Sequence, residues 1–304
     1  MFKKPLYYLI PIKIIVLILI FSDTGCKRDK AEMEAFSMAF VTDIHLQPEL
    51  NAVEGFEKAL DTINDLKPDF IIAGGDLIMD ALAAQYGRAD SLYNLYLKTI
   101  RKAEMPIYNT MGNHEIYGLY GRSGADPEHP EYGEKIYEKR LGETYYSFMH
   151  KGWKFMIINS VEDSGHEGYV GLIDSAQILW IKEELVKTDP STPIVISTHI
   201  PFISAMVQRE NGSTVANDSS LVVYNSKEVI DLFKNHNLKL VLQGHLHIVE
   251  EINIAGVHYI TGGAISGRWW KGPYMWSEEG FVYVTFGKDD FTWRYVDYGW
   301  EVNQ

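Results

Sequence analysis

Two regimes of apolar and polar positions alternate along this chain. Short, largely apolar runs at Phe36–Val41, Phe70–Ala73, Pro106–Asn109, Trp153–Asn159, Pro193–Ser197 and Leu238–Leu242 have the length and side-chain content of buried strands. Between them lie stretches whose apolar residues recur at helical spacing. Val53, Phe56, Leu60, Ile63 and Leu66 predict one helix packed on a sheet, and Ala89–Lys102 predicts a second. Asp174, with Gln177 three residues on, has the spacing of a capping box and opens a third. Runs at Val257–Thr261, Phe281–Phe286 and Phe291–Tyr298 follow one another without helices, so antiparallel pairing is expected there. Strands alternating with helices are the pattern of one α/β domain, and no repeat, low-complexity tract or linker interrupts it after residue 35.

The first 25 residues stand outside that pattern. Lys3 and Lys4 precede an unbroken apolar run, Ile14–Phe21, which is too short to span a bilayer as a helix. Ser22-Asp23-Thr24-Gly25-Cys26 follows, and a small residue before a lone cysteine resembles the cleavage box of bacterial lipoproteins, although Asp23 stands where that family usually has an aliphatic residue. The resemblance implies a signal peptide over residues 1–25. It also implies a lipidated Cys26 with a short charged tether over residues 26–35, and a domain over residues 36–304. The protein would then be exported and held to the membrane of the bacterial cell envelope by its lipid.

Composition narrows the chemistry. Hydrophobic residues make up 46% of the 304 and charged residues 23%, which suits a globular domain with a sizeable core. The formal charge of −13 argues against a surface that holds nucleic acid by charge. A single cysteine excludes an intrachain disulfide and a thiolate-rich zinc site. No feature points to a protein partner. Histidines and carboxylates remain.

They recur at five strand ends: Asp43-x-His45, Gly75-Asp76, Gly112-Asn113-His114-Glu115, Thr198-His199 and Gly244-His245-x-His247. Each follows an apolar run, and in open α/β sheets ligands bind beyond the carboxyl ends of the strands. Gly112 is expected to permit a sharp turn. His245 and His247, two apart, are expected to point to one side of an extended backbone. Alone, each motif is as well explained by a turn or a packed histidine.

As an ordered set they resemble the calcineurin-like metallophosphoesterases. The resemblance implies two packed mixed β-sheets flanked by helices, an α-β-β-α sandwich in a single domain. It implies two metal ions, with Asp43, His45 and His247 on the first, Asn113, His199 and His245 on the second, and Asp76 bridging them. A metal-bridging hydroxide would attack phosphorus, and His114 would stabilise the transition state or protonate the leaving oxygen. Ligands of oxygen and nitrogen suit manganese, iron or zinc. Glu115 is read as orienting its neighbours. Met79 stands where the purple acid phosphatase branch has a tyrosine, and Asp43-x-His45 is closer to the phosphodiesterase branches.

The expected activity is therefore hydrolysis of a phosphate ester, preferentially a diester, outside the cytoplasm; nucleotides, phospholipid headgroups and phosphoglycans are the candidate substrates. A phosphomonoesterase of the same mechanism and a non-catalytic glycan-binding protein on this fold are the alternatives. Arg268, Trp269 and Trp270 are candidate substrate contacts, against the reading that the rings pack the second sheet. His129, His150, His166, His236 and His258 are read as surface or packing residues.

Overall fold

A computed structural model describes Met1 and residues 34–302; the signal segment, Cys26 and most of the tether lie outside the described residues. One sheet runs in the order β13 (Phe291–Asp297), β12 (Gly280–Phe286), β1 (Phe36–Val41), β2 (Phe70–Ala73), β3 (Ile107–Asn109). The other runs β10 (Val249–Ile254), β11 (Val257–Gly262), β9 (Asn237–Gln243), β8 (Pro193–Thr198), β5 (Trp153–Ile158), β4 (Tyr146–His150). A hairpin of β6 (Val161–Asp163) and β7 (Tyr169–Gly171) stands apart from both.

Side-chain alternation explains how these sheets are covered. On β1, Met38 and Phe40 join Phe70, Ile72, Phe155, Val195, Leu240 and Leu242 in the core between the sheets. Ala39 and Val41 face the other way, onto Phe56, Leu60 and Ile63 of α1 (Ala52–Leu66) and Tyr93 and Tyr96 of α2 (Tyr86–Thr99). The outer face of the second sheet carries Ile178, Ile181 and Leu185 of α4 (Ser175–Val186) and Val229 of α6 (Ser226–Leu232). Helix, sheet, sheet, helix is the expected layering. The remaining helices, α3 (Lys135–Leu141) and α5 (Met206–Asn211), are short.

Two local expectations need correction. Asp174 does cap α4, accepting from the Gln177 N–H at 2.6 Å, but the Gln177 side chain does not reach back. It bonds the main chain of Asn159 instead, so the capping box is half formed and the glutamine ties α4 to the end of β5. In the tail, β12 pairs antiparallel with β1 and β13 as expected, whereas β11 pairs parallel with β9 because β10 intervenes as a hairpin partner.

β1, β2 and β3 run parallel, as do β5, β8 and β9. The loops after β1, β2, β3, β8 and β9 carry the five motifs.

Candidate metal centre

These five loops converge. Asp43, His45 and His247 present donor atoms within 4.8 Å of one another, as do Asp76, His199 and His245, and as do His45, Asp76 and His114. Asp76 lies between the groups: its Oδ1 is 3.2 Å from His199 Nε2, and its Oδ2 is 3.6 Å from His45 Nε2 and 3.8 Å from His114 Nε2. Asn113 Oδ1 lies 3.2 Å from His199 Nε2, and Asp43 Oδ1 lies 3.3 Å from His247 Nε2.

The imidazoles are aimed by main-chain carbonyls. His199 Nδ1–H donates to Gly74, His247 Nδ1–H to Gly267 and His114 Nδ1–H to Met79, which leaves each Nε2 toward the carboxylates. His245 is reversed: its Nε2–H donates to the Ser220 carbonyl at 2.9 Å, and its buried Nδ1 has no partner among the described residues. The expectation of two rings side by side on an extended strand is therefore wrong. His245 and His247 have φ of 73° and 57°, and the bent backbone sends one ring to the Asp76–His199 group and the other to Asp43 and His45. Gly112 also differs from expectation. Its φ of −105° is open to any residue, but a Cβ there would lie 2.3 Å from the Asp76 nitrogen and from Asp76 Oδ1. Space, not conformation, demands the glycine.

Charge is distributed unevenly. Burial raises the Asp43 and Asp76 carboxyls, but the neighbouring imidazoles outweigh it and hold both below their ordinary range. Burial lowers His199, and the charge on Asp76 reverses this to bring it to about 9. Burial and the proximity of His199 push His245 down to about 4. His45 is held well below its ordinary value by burial and by His114. Burial and the Asp76 charge push the Glu115 carboxyl up, against four main-chain N–H groups that donate to it.

The residues fit a pair of metal ions. His45 Nε2 and His247 Nε2 face each other at 3.0 Å, buried, an arrangement that needs a proton or a cation between two lone pairs. His45 and His245 each keep a buried Nδ1 without a partner among the described residues. The donors are imidazole, carboxylate and amide oxygen, the set that suits zinc, manganese or iron.

Glu115 reaches Gly112, Asp76, Leu77 and Ile78 through their N–H groups and so orients two of the loops. His114 is the open member of its group, its side chain one-fifth exposed while that of His45 is fully buried. Trp269 faces the cluster, 4.6 Å from the His247 ring and 5.9 Å from His45. Arg268 is exposed. Trp270 contradicts its reading as a substrate contact: it is 1% exposed, packs under Gly55 and donates its indole N–H to the His45 carbonyl. Thr42 and Ser266 went unread. The Thr42 hydroxyl donates to Asp43 Oδ2 at 2.8 Å, and the Ser266 hydroxyl to the Asp43 carbonyl at 2.8 Å. Only the position of Thr42, next to Asp43, hinted at a role.

A sequence profile of the calcineurin-like phosphoesterases matches residues 36–249. Over 89 residues the chain is 33% identical to F40B5.2 of Caenorhabditis elegans, a protein named as a metallophosphoesterase; the alignment takes in 29% of this chain and 17% of that protein. The fold is similar to that of a dimetal phosphatase from Danio rerio, with a TM-score of 0.61 and 13% identity over 87% of this chain and 96% of that one. It is similar also to a purple acid phosphatase from yellow lupin seeds (0.55, 15%, 87% and 52%). A third similar structure is GAP50, described as the anchor in the inner membrane complex of Plasmodium (0.51, 14%, 88% and 86%). One architecture thus carries phosphatases and an anchor, so activity has to be argued from the residues.

Proposed function

The chain belongs to the calcineurin-like phosphoesterase family, and from that membership and the donor geometry we propose a two-metal hydrolase of phosphate esters, acting on diesters outside the cytoplasm. The observation that carries the reading is Asp76, a buried carboxylate with one oxygen toward His199 and the other toward His45. Asp43, His45 and His247 would hold one ion; Asn113, His199 and His245 would hold the other, with Asp76 shared. When bound, two such ions acidify water at neutral pH and neutralise charge on phosphoryl oxygens.

The chain supplies the rest. Glu115 fixes the main chain of Asp76 and of the turn before Asn113, so those donors need no reorganisation. His114, tied through Nδ1–H and open at Nε2, can in its imidazolium form donate from Nε2 toward a phosphoryl or leaving oxygen on the solvent side. Trp269 offers an apolar face beside His247 for the alcohol portion of the substrate, and Arg268 a cation for a second phosphate. The Asp-x-His form of the first motif supports a diester over a monoester. The Gly25-Cys26 box supports export and a lipid anchor, which favours nucleotides, phospholipid headgroups or phosphoglycans as substrates.

The test is metal-dependent hydrolysis by the full chain, stripped and then reloaded separately with manganese, zinc or iron. Turnover of bis-p-nitrophenyl phosphate above that of p-nitrophenyl phosphate, absent in Asp76→Asn, is the expected result. Stoichiometric metal without turnover of either ester would favour a binding protein on this fold.

A further inference from the structure

The β6–β7 hairpin rises from the carboxyl end of β5, beside the loops that carry His199 and His245. It is fastened to the segment of residues 217–224. The Gly171 N–H donates to the Ser219 carbonyl at 2.7 Å, and the Gly171 carbonyl accepts from the Tyr224 N–H at 2.6 Å. A Cβ at Gly171 would fall 2.7 Å from the Val222 carbonyl oxygen and 2.9 Å from the Ile200 side chain, so no space separates the hairpin from either neighbour. The same segment holds His245 through the Ser220 carbonyl.

Tyr169, the first residue of β7, stands on this frame. Its ring meets the His245 ring edge-on, with centroids 5.8 Å apart and planes at 85°. Tyr169 is half-buried, and its hydroxyl makes no hydrogen bond among the described residues. Five other phenols in the domain are spent: Tyr93 on the Glu115 carbonyl, Tyr96 on Asn109 Oδ1, Tyr137 and Tyr146 on the Asn109 carbonyl, and Tyr298 on the Ile265 carbonyl. Its ring lies against His245, so the phenol of Tyr169 stands beside the Asp76–His199–His245 group with a hydroxyl free to meet a ligand there.

We propose that Tyr169 is a substrate contact of this site, its hydroxyl donating a hydrogen bond to an oxygen of the phosphoryl group. The proposal rests on the phosphoester reading above. A phenol keeps its proton at neutral pH, so it serves as a donor and no bond to it forms or breaks. A donor to a charged oxygen is worth on the order of 10- to 100-fold. The contact would come from a hairpin that contributes no metal donor, which places it on the part of the molecule free to differ between substrates.

The experiment compares the full-length, metal-loaded chain with Tyr169→Phe by three readouts. These are kcat/KM on the two nitrophenyl esters, the Kd of inorganic phosphate by titration calorimetry, and bound metal with Tm. The expected result is a fall of roughly 10-fold or more in kcat/KM and a comparable rise in the phosphate Kd, with metal content and Tm unchanged. Values within twofold of the parent would overturn the proposal while leaving the hydrolase reading intact. A parent that binds phosphate without turnover would sink the hydrolase reading, and the phosphate titration would still decide Tyr169. Loss of metal in Tyr169→Phe would replace the substrate contact with a packing role at His245.

Discussion

Replacing Glu115 by glutamine tests how the loops are held, and the structure sets the size of the effect. Oε1 accepts from Leu77 at 2.8 Å and Ile78 at 3.2 Å, and Oε2 accepts from Asp76 at 2.9 Å and Gly112 at 2.7 Å. Glutamine keeps one oxygen, so two of the four bonds survive. Its NH2 then turns donors toward two N–H groups that have nowhere else to go. Above the value of about 8 to which burial and Asp76 push it, the carboxyl is charged, and at such a pH two hydrogen bonds to a charged acceptor are worth roughly 3–6 kcal/mol. Relief from burying a carboxylate beside Asp76 offsets part of that, leaving a net loss of about 3 kcal/mol. Urea denaturation of the metal-free chain reads the stability, and competition with a chelator reads the metal affinity, which should fall more than tenfold because Asp76 loses its anchor. The reasoning fails if Glu115→Gln unfolds within about 1 kcal/mol of the parent and keeps its affinity for metal. That outcome would mean the carboxyl is neutral in the folded protein and glutamine merely imitates it.

Glu134 offers a pH test away from the metal donors. Burial, with Glu162, Glu138 and Asp174 nearby, pushes its carboxyl up to about 7, although Asn159 donates to it. The unfolded chain ionises this group near 4.5, so any stability its neutral form provides is full below that pH and lost as pH rises toward 7. Glu134→Gln should match the parent Tm at pH 4 and exceed it at pH 8; a difference independent of pH would refute the assignment. The two adjacent tryptophans should separate by assay. Trp270→Ala removes a buried ring and the bond to His45 and should lose about 3–5 kcal/mol in denaturant unfolding. Trp269→Ala should change stability by less than about 1 kcal/mol and raise KM, and the reverse pattern would exchange their roles.

Strand ends were legible where an apolar run stops against a polar motif. β1 and β2 fall on the expected residues because both faces of each are buried, one by the other sheet and one by helices. β10 was missed because Val249–Ile254 is an exposed edge strand with two glutamates, and β6 and β7 because three residues carry no period. The candidate donors were legible as an ordered set of motifs, but their geometry was not. Spacing two apart implies one side only on an extended chain, and the chain at His245 and His247 is not extended. Tyr169 gave no signal at all, because its position depends on a hairpin and on a glycine at 171 that meets the main chain of Val222.

The conformation of these loops carries its own argument. Asp43, His45, Asp76, His245 and His247 all have φ between 46° and 73°, the left-handed region that side-chain-bearing residues avoid. Each costs roughly 1–3 kcal/mol and persists only where the surroundings impose it. Here they do: Asp43 N–H donates to the Gly75 carbonyl, His45 N–H to the Asp76 carbonyl, and His245 N–H to the Asp43 carboxylate, 202 residues away in sequence. Turns whose only task was to reverse the chain would be relieved by glycine at each of these positions. Retaining aspartate and histidine at all five makes sense only if the side chains are needed, and needed in directions that an ordinary backbone would not give. Strain at one such residue would be an accident of packing. At five residues drawn from three loops and aimed at a common centre, it is the arrangement expected of a site built before its ions arrive.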